Sequence, residues 1–227
     1  MPSPIIVFDL DGTLVDTAPD LLDSLNHSLM AGGAALTDTS GFRRFVGHGA
    51  RVMIERAYAS QQRMLETSEH DRLFDVFLEH YGENIPGRSQ PYPGVPEALT
   101  RLAAQGWLLA VCTNKTEEFS RRLLAGLGLA GRFAAICGAD TFNHRKPDPR
   151  HLTETIEMAA GDPARAVMVG DSQTDIDTAK AAGIPVVAVD FGYTDRHVRE
   201  FSPSRVISHF DELTVDLCRD LMQAANA

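Results

Sequence analysis

The stretch Ile5-Ile-Val-Phe8-Asp9-Leu10-Asp11-Gly12-Thr13 decides how the rest of the chain is read. Its first four residues are β-branched or aromatic, with no polar position among them. A strand with one wet face alternates apolar and polar residues. An unbroken apolar run suits a strand buried on both faces, as in a parallel sheet. The run stops at two carboxylates separated by a single leucine, with Gly12 supplying a turn. Open parallel sheets bind ligands outside the carboxyl ends of their strands, so chemistry is expected at this charged end.

The same pattern recurs at 107–112, 166–169 and 186–189, and more weakly at 133–137. Helical stretches at 95–105, 116–125 and 176–182 lie between these runs. Each ends near a glycine (Gly106, Gly126 and Gly128, Gly183) that accepts the left-handed conformation closing a helix. Strands alternating with helices predict an α/β fold, a Rossmann-like parallel sheet with helices on both faces. Residues 17–88 break the alternation. They carry only helical stripes: Leu21, Leu22, Leu25 and Leu29; then Ile54, Ala57 and Tyr58; then Leu73, Phe74, Phe77, Leu78 and Tyr81. The chain therefore divides into a core of residues 1–16 and 89–227 and a small inserted helical domain of residues 17–88. Stiff proline-rich segments around 85–96, and residues 16–19, are the hinges.

Twenty-one Lys and Arg face 31 Asp and Glu, a net charge of −10. Affinity for a nucleic-acid backbone draws on clustered cations, so no nucleic-acid partner is expected. Hydrophobic residues at 44% and charged ones at 23% exclude a disordered chain. The amino terminus carries no basic residue, and no segment reaches the roughly 18 apolar residues of a membrane span. Neither a signal peptide nor a membrane partner is expected. Cys112, Cys137 and Cys218 have no metal-ligand spacing and cannot all pair, which suits a reduced, cytoplasmic protein. Cys112 ends an apolar strand without a base beside it and reads as a small core side chain.

Polar residues stand at each strand end: Asp9 and Asp11, Thr113-Asn114, Lys146-Pro-Asp-Pro149, and Gly170-Asp171-Ser-Gln-Thr-Asp175. A lone aspartate there is usually a turn former or helix cap. Four carboxylates converging on one sheet edge are different, because they repel unless a cation holds them. All-oxygen donors, with no His or Cys among them, point to Mg²⁺.

In order and spacing these four signatures resemble those of the haloacid dehalogenase superfamily of phosphohydrolases. The insert resembles that family's small helical cap. The resemblance implies Asp9 as a nucleophile that forms an aspartyl-phosphate, Asp11 as general acid and base, and Lys146 as a cation against the phosphoryl oxygens. It implies magnesium held by Asp9, Asp171 and the Asp11 backbone carbonyl, with Asp175 placing the ion or its waters. Thr113, Asn114 and nearby backbone N–H groups would hold the phosphoryl oxygens. Elementary chemistry agrees. A carboxylate is already ionised at pH 7, but each like-charge pair it forms with a phosphate at ~3.5 Å costs roughly 5 kcal/mol at an effective dielectric near 20, so cations must stand beside it.

The segment Phe45-Val-Gly47-His48-Gly49-Ala-Arg51, with Thr113-Asn-Lys115 and Asp140-Thr-x-x-x-Arg145-Lys-Pro-Asp-Pro149, resembles the bacterial phosphoglycolate phosphatase branch of that superfamily. Gly47 and Gly49 ahead of a helix can turn backbone N–H groups toward an anion. By position, Arg51 is the candidate to read the carboxylate of 2-phosphoglycolate, with His48 beside it. The expected substrate is a small-molecule phosphate ester, and the enzyme a monomer or homodimer. A phosphosugar phosphatase or a phosphomutase of the same superfamily is the alternative. A dehalogenase would not need Asp11, and a phospho-receiver module would need neither Asp11 nor a lid.

Overall fold

The run quoted above forms β1 (Ser3–Phe8), and Ile5 to Phe8 are fully buried. In this computed structural model, residues 3–38, 42, 49–194 and 196–225 are described. β1 lies in the middle of a six-stranded sheet. On one side it pairs with β4 (Leu108–Cys112), which in turn pairs with β5 (Ala135–Cys137). On the other side come β6 (Gly161–Gly170), β7 (Val186–Val189) and β8 (Arg205–Ile207). Every pairing in this sheet is parallel, so the α/β expectation is borne out. Alternate residues of β1 feed two separate apolar layers: Ile6 and Phe8 on one face, Ile5 and Val7 on the other. That two-sided burial is the reason the run shows no polar position.

The insert holds α1 (Ala18–Ala31), α2 (Ala50–Ser60) and α3 (Thr67–Asn84). They pack around Leu25, Leu29, Ile54, Leu73, Phe77 and Tyr81, the stripes read from the sequence. The two chain crossings between insert and sheet run side by side. β2 (Val15–Asp16) and β3 (Gln90–Pro91) pair antiparallel as a two-residue ribbon. Around the sheet lie α4 (Val95–Ala104), α5 (Glu117–Gly126), α6 (Pro149–Met158), α7 (Gln173–Ala181) and α8 (Val215–Ala225). The alternation read from the sequence omits β8, α6, α8 and the ribbon of β2 and β3. No described helix is long and apolar enough to cross a membrane.

Candidate active site

Asp9 follows the last residue of β1, and its backbone N–H donates to the Val169 carbonyl of β6 at 2.9 Å. Sheet pairing thus continues into the site and fixes where its carboxylate starts. Gly170 closes β6, so Asp171 stands beside Asp9 on the same edge. Oxygens of Asp9, Asp171 and Asp175 lie within 4.8 Å of one another. Lys146, only 3% exposed, places its ammonium 2.9 Å from Asp9 Oδ1 and donates to Asp175 Oδ1 at 2.6 Å. Burial works against that ammonium, but Asp175 and Asp9 outweigh it and hold Lys146 above its ordinary pKa.

One ammonium does not balance this cluster. Burial pushes the Asp9 carboxyl up to about 6; Lys146 pulls it down, while Asp175 and Asp11 add repulsion. Asp171 is pushed well above the usual carboxylate range by burial, then by Asp175 and Asp9. Buried oxygen donors with a deficit of positive charge are what a hard divalent cation takes, so the residues present fit Mg²⁺.

The expected metal set divides by role. Asp171 is held from two sides: Thr13 Oγ1 donates to its Oδ1 at 2.9 Å and the Tyr193 N–H to its Oδ2 at 2.6 Å. Asp175 has both oxygens occupied by protein donors. Lys146 takes Oδ1, while the Asp171 and Ser172 amides and the Ser172 hydroxyl take Oδ2. It caps α7 in a reciprocal box with Ser172 and locks the loop that carries Asp171. Asp11 points elsewhere: both its oxygens accept from Lys115 Nζ at 3.0 Å. Gly12 sits at φ +81°, and a Cβ there would collide with the Asp171 carboxylate and the Tyr193 ring. The glycine of Asp-x-Asp-Gly is required by close approach.

These residues open onto a cavity of about 180 Å³, below the roughly 300–1,000 Å³ of drug-sized ligand sites. Asp9, Asp11, Thr113, Asn114, Lys115 and Asp171 line it from the sheet edge; Gly49, Met53, Phe74, Phe77 and Tyr81 close it from the insert. The Asn114 amide donates to the Lys146 backbone carbonyl at 3.0 Å, so it fixes the lysine loop. Thr113 is buried, and its amide continues the sheet onto Cys137. Burial pushes the Cys112 thiol up to about 12, consistent with an inert core side chain.

In the insert, Gly49 borders the cavity. Gly47 and His48 lie outside the described residues. Arg51 is not among the lining residues. Its guanidinium donates to Asp71 at 2.6 Å and lies 4.0 Å from the Phe74 ring centre. Lys115, Tyr81 and Tyr193 are the residues of this region that sequence reasoning gave no role. Lys115 has a local signal, as the last residue of the Thr113-Asn-Lys115 signature at a strand end. Tyr81 shows in the chain only as one position of an apolar helical stripe, and Tyr193 carries no local signal.

The chain matches the haloacid dehalogenase-like hydrolase family over residues 6–189. It is similar to a phosphoglycolate phosphatase of Mesorhizobium japonicum, 71% identical over 225 residues that cover 99% of each chain. A phosphoglycolate phosphatase of Agrobacterium fabrum is 49% identical, with 99% of this chain and 97% of that one covered. Among solved structures, a predicted phosphoglycolate phosphatase from Haemophilus somnus superposes with a TM-score of 0.86 at 31% identity, over 93% of this chain and 96% of that one. Those matches fall on a chain whose sheet edge already gathers Asp9, Lys146, Asp171 and Asp175 around one point, and they show that it belongs to the haloacid dehalogenase-like hydrolase family.

Proposed function

We propose that the protein is a magnesium-dependent phosphatase that hydrolyses 2-phosphoglycolate through an aspartyl-phosphate on Asp9. One observation carries the reading most: Asp9 and Asp11, two residues apart, face one small cavity with different cations behind them. The names of the 71% and 49% identical relatives support the substrate.

Asp9, Asp171 and the Asp11 backbone carbonyl would hold Mg²⁺, which supplies positive charge against the phosphoryl oxygens. An Asp9 oxygen attacks phosphorus, and the bond from phosphorus to the ester oxygen breaks. A proton on Asp11 goes to that leaving oxygen and releases glycolate. Asp11 then takes a proton from water, whose oxygen attacks phosphorus and frees Asp9 and phosphate. Lys146 keeps a positive charge beside Asp9 throughout, and Thr113 holds a phosphoryl oxygen. Residues 17–88 act as a cap on a core of residues 1–16 and 89–227, closing over the ester to exclude water. The enzyme works in the cytoplasm on a free small molecule, as a monomer or homodimer.

Phosphate release from a panel of 2-phosphoglycolate, ethyl phosphate and glucose 6-phosphate tests this, with and without Mg²⁺. The expected result is preference for 2-phosphoglycolate and near-complete loss on chelation, restored by Mg²⁺. Full turnover after confirmed metal removal would contradict the metal, and equal rates across the panel would contradict the substrate.

A further inference from the structure

Part of the cavity wall has no use in the reaction as derived. Lys115 lies beyond the end of β4, its side chain 7% exposed, and donates to both oxygens of Asp11. It is the only lysine or arginine among the described residues lining the cavity. Its ammonium lies 4.6 Å from the ring centre of Tyr81, which reaches the same wall from α3. Tyr81 is 2% exposed, and its hydroxyl lies beside the Lys115 ammonium without a well-aligned hydrogen bond. A buried hydroxyl whose proton has no acceptor can offer it to a ligand group in the cavity. Among the described residues, the rest of the insert's wall is apolar: Leu21, Met53, Phe74, Phe77 and Leu78 with Gly49 and Ala50.

Resting on the phosphoglycolate reading, we propose that Lys115 and Tyr81 together hold the carboxylate of the substrate, one from the core and one from the cap. Bond counting supports this placement. In 2-phosphoglycolate the carboxylate carbon is two bonds from the leaving oxygen, and Asp11 is the group that must reach that oxygen. A cation bonded to Asp11 is therefore within reach of the substrate's carboxylate. Binding exchanges one carboxylate for another on Lys115: the substrate takes the ammonium and the Tyr81 hydroxyl, and Asp11, freed of the ammonium, takes up a proton from water and turns toward the leaving oxygen. An ester without a carboxylate leaves Asp11 on Lys115, so the same contact that selects the substrate also frees the acid.

The test compares 2-phosphoglycolate with ethyl phosphate, which keeps the two-carbon ester and lacks the carboxylate. The ratio of their kcat/KM values is measured in wild type, Lys115→Met, Tyr81→Phe and Arg51→Ala. One charge-assisted hydrogen bond corresponds to roughly a 10–100-fold change. The expected fall in the ratio is about 100-fold in Lys115→Met and about 10-fold in Tyr81→Phe. Tyr81→Phe removes a single atom from a buried ring, so it keeps the proposal testable if Lys115→Met fails to fold. Ratios equal to wild type in the folded variants, or a fall confined to Arg51→Ala, would overturn it. A wild-type enzyme with no preference for the carboxylate would overturn the phosphoglycolate reading, and the proposal with it.

Discussion

His151 shows how tightly the surroundings of Lys146 constrain single residues. It is fully buried on α6, and its Nδ1 accepts from the Lys146 backbone N–H at 3.2 Å. Burial, followed by the Lys146 charge, pushes the imidazole down to about 4. In the unfolded chain it titrates near its ordinary value of about 6.5. A base depressed on folding must stay neutral in the native state, so between pH 6.5 and 4 the unfolded chain binds the extra proton. Its stabilising contribution is complete above pH 6.5 and is lost as the pH falls toward 4. His151→Asn retains an acceptor for the Lys146 amide and removes the titration. Urea unfolding at pH 7 and pH 5 should show wild type losing about 1–2 kcal/mol more than the variant. Equal losses would contradict that role. The residues legible in the sequence are those whose neighbours in the chain share their task, such as Asp9 with Asp11 and Asp171 with Asp175. His151 and Tyr81 are not legible, because what gives them meaning comes from distant segments.

The elements that join the helical insert to the sheet are where reading by periodicity stops. The helical stripes of the insert repeat every three or four residues and can be found in the chain. The ribbon of β2 and β3 has two residues per strand, too few for any period to show, and Tyr193 lies more than a hundred residues from either. Yet Tyr193 connects the pieces. Its hydroxyl donates to Asp16 at 2.5 Å and accepts from the Ala18 N–H at 2.8 Å, its ring sits in the apolar cluster of the insert, and its own N–H holds Asp171. Asp20 ties the other crossing, accepting from the Arg88 and Ser89 amides and from the Ser89 hydroxyl. Tyr193→Phe deletes the hydroxyl and leaves Asp16 and the Ala18 N–H only their longer bond to each other, at 3.3 Å, a cost of roughly 1–3 kcal/mol. The thermal midpoint should fall by several degrees. Mg²⁺ affinity measured by calorimetry should stay close to wild type, because Asp171 is held by the backbone. An unchanged midpoint would contradict the hinge role.

For the whole molecule, topology explains why residues from position 9 to position 175 meet. β1 is central, with β4 and β6 as its neighbours and all three parallel, so their carboxyl ends share one edge. Asp9, Thr113 and Asp171 arrive there without any long loop. Parallel α/β architecture is legible from the repeated apolar runs and glycine stops; strand order is not, because pairing partners are chosen by packing between distant segments. β8, a short strand at the sheet edge with Arg205 exposed, carries too weak a pattern to be read. Everything placed on that edge serves one claim, that Asp9 carries the phosphoryl group. The most direct measurement is acid quench of 2-phosphoglycolate turnover before steady state, followed by borohydride reduction and peptide mass mapping. An acyl phosphate is reduced to an alcohol, so position 9 should read as homoserine, and the signal should vanish in Asp9→Asn. Reduction at Asp11 instead, or at no residue of an enzyme caught turning over, would contradict it.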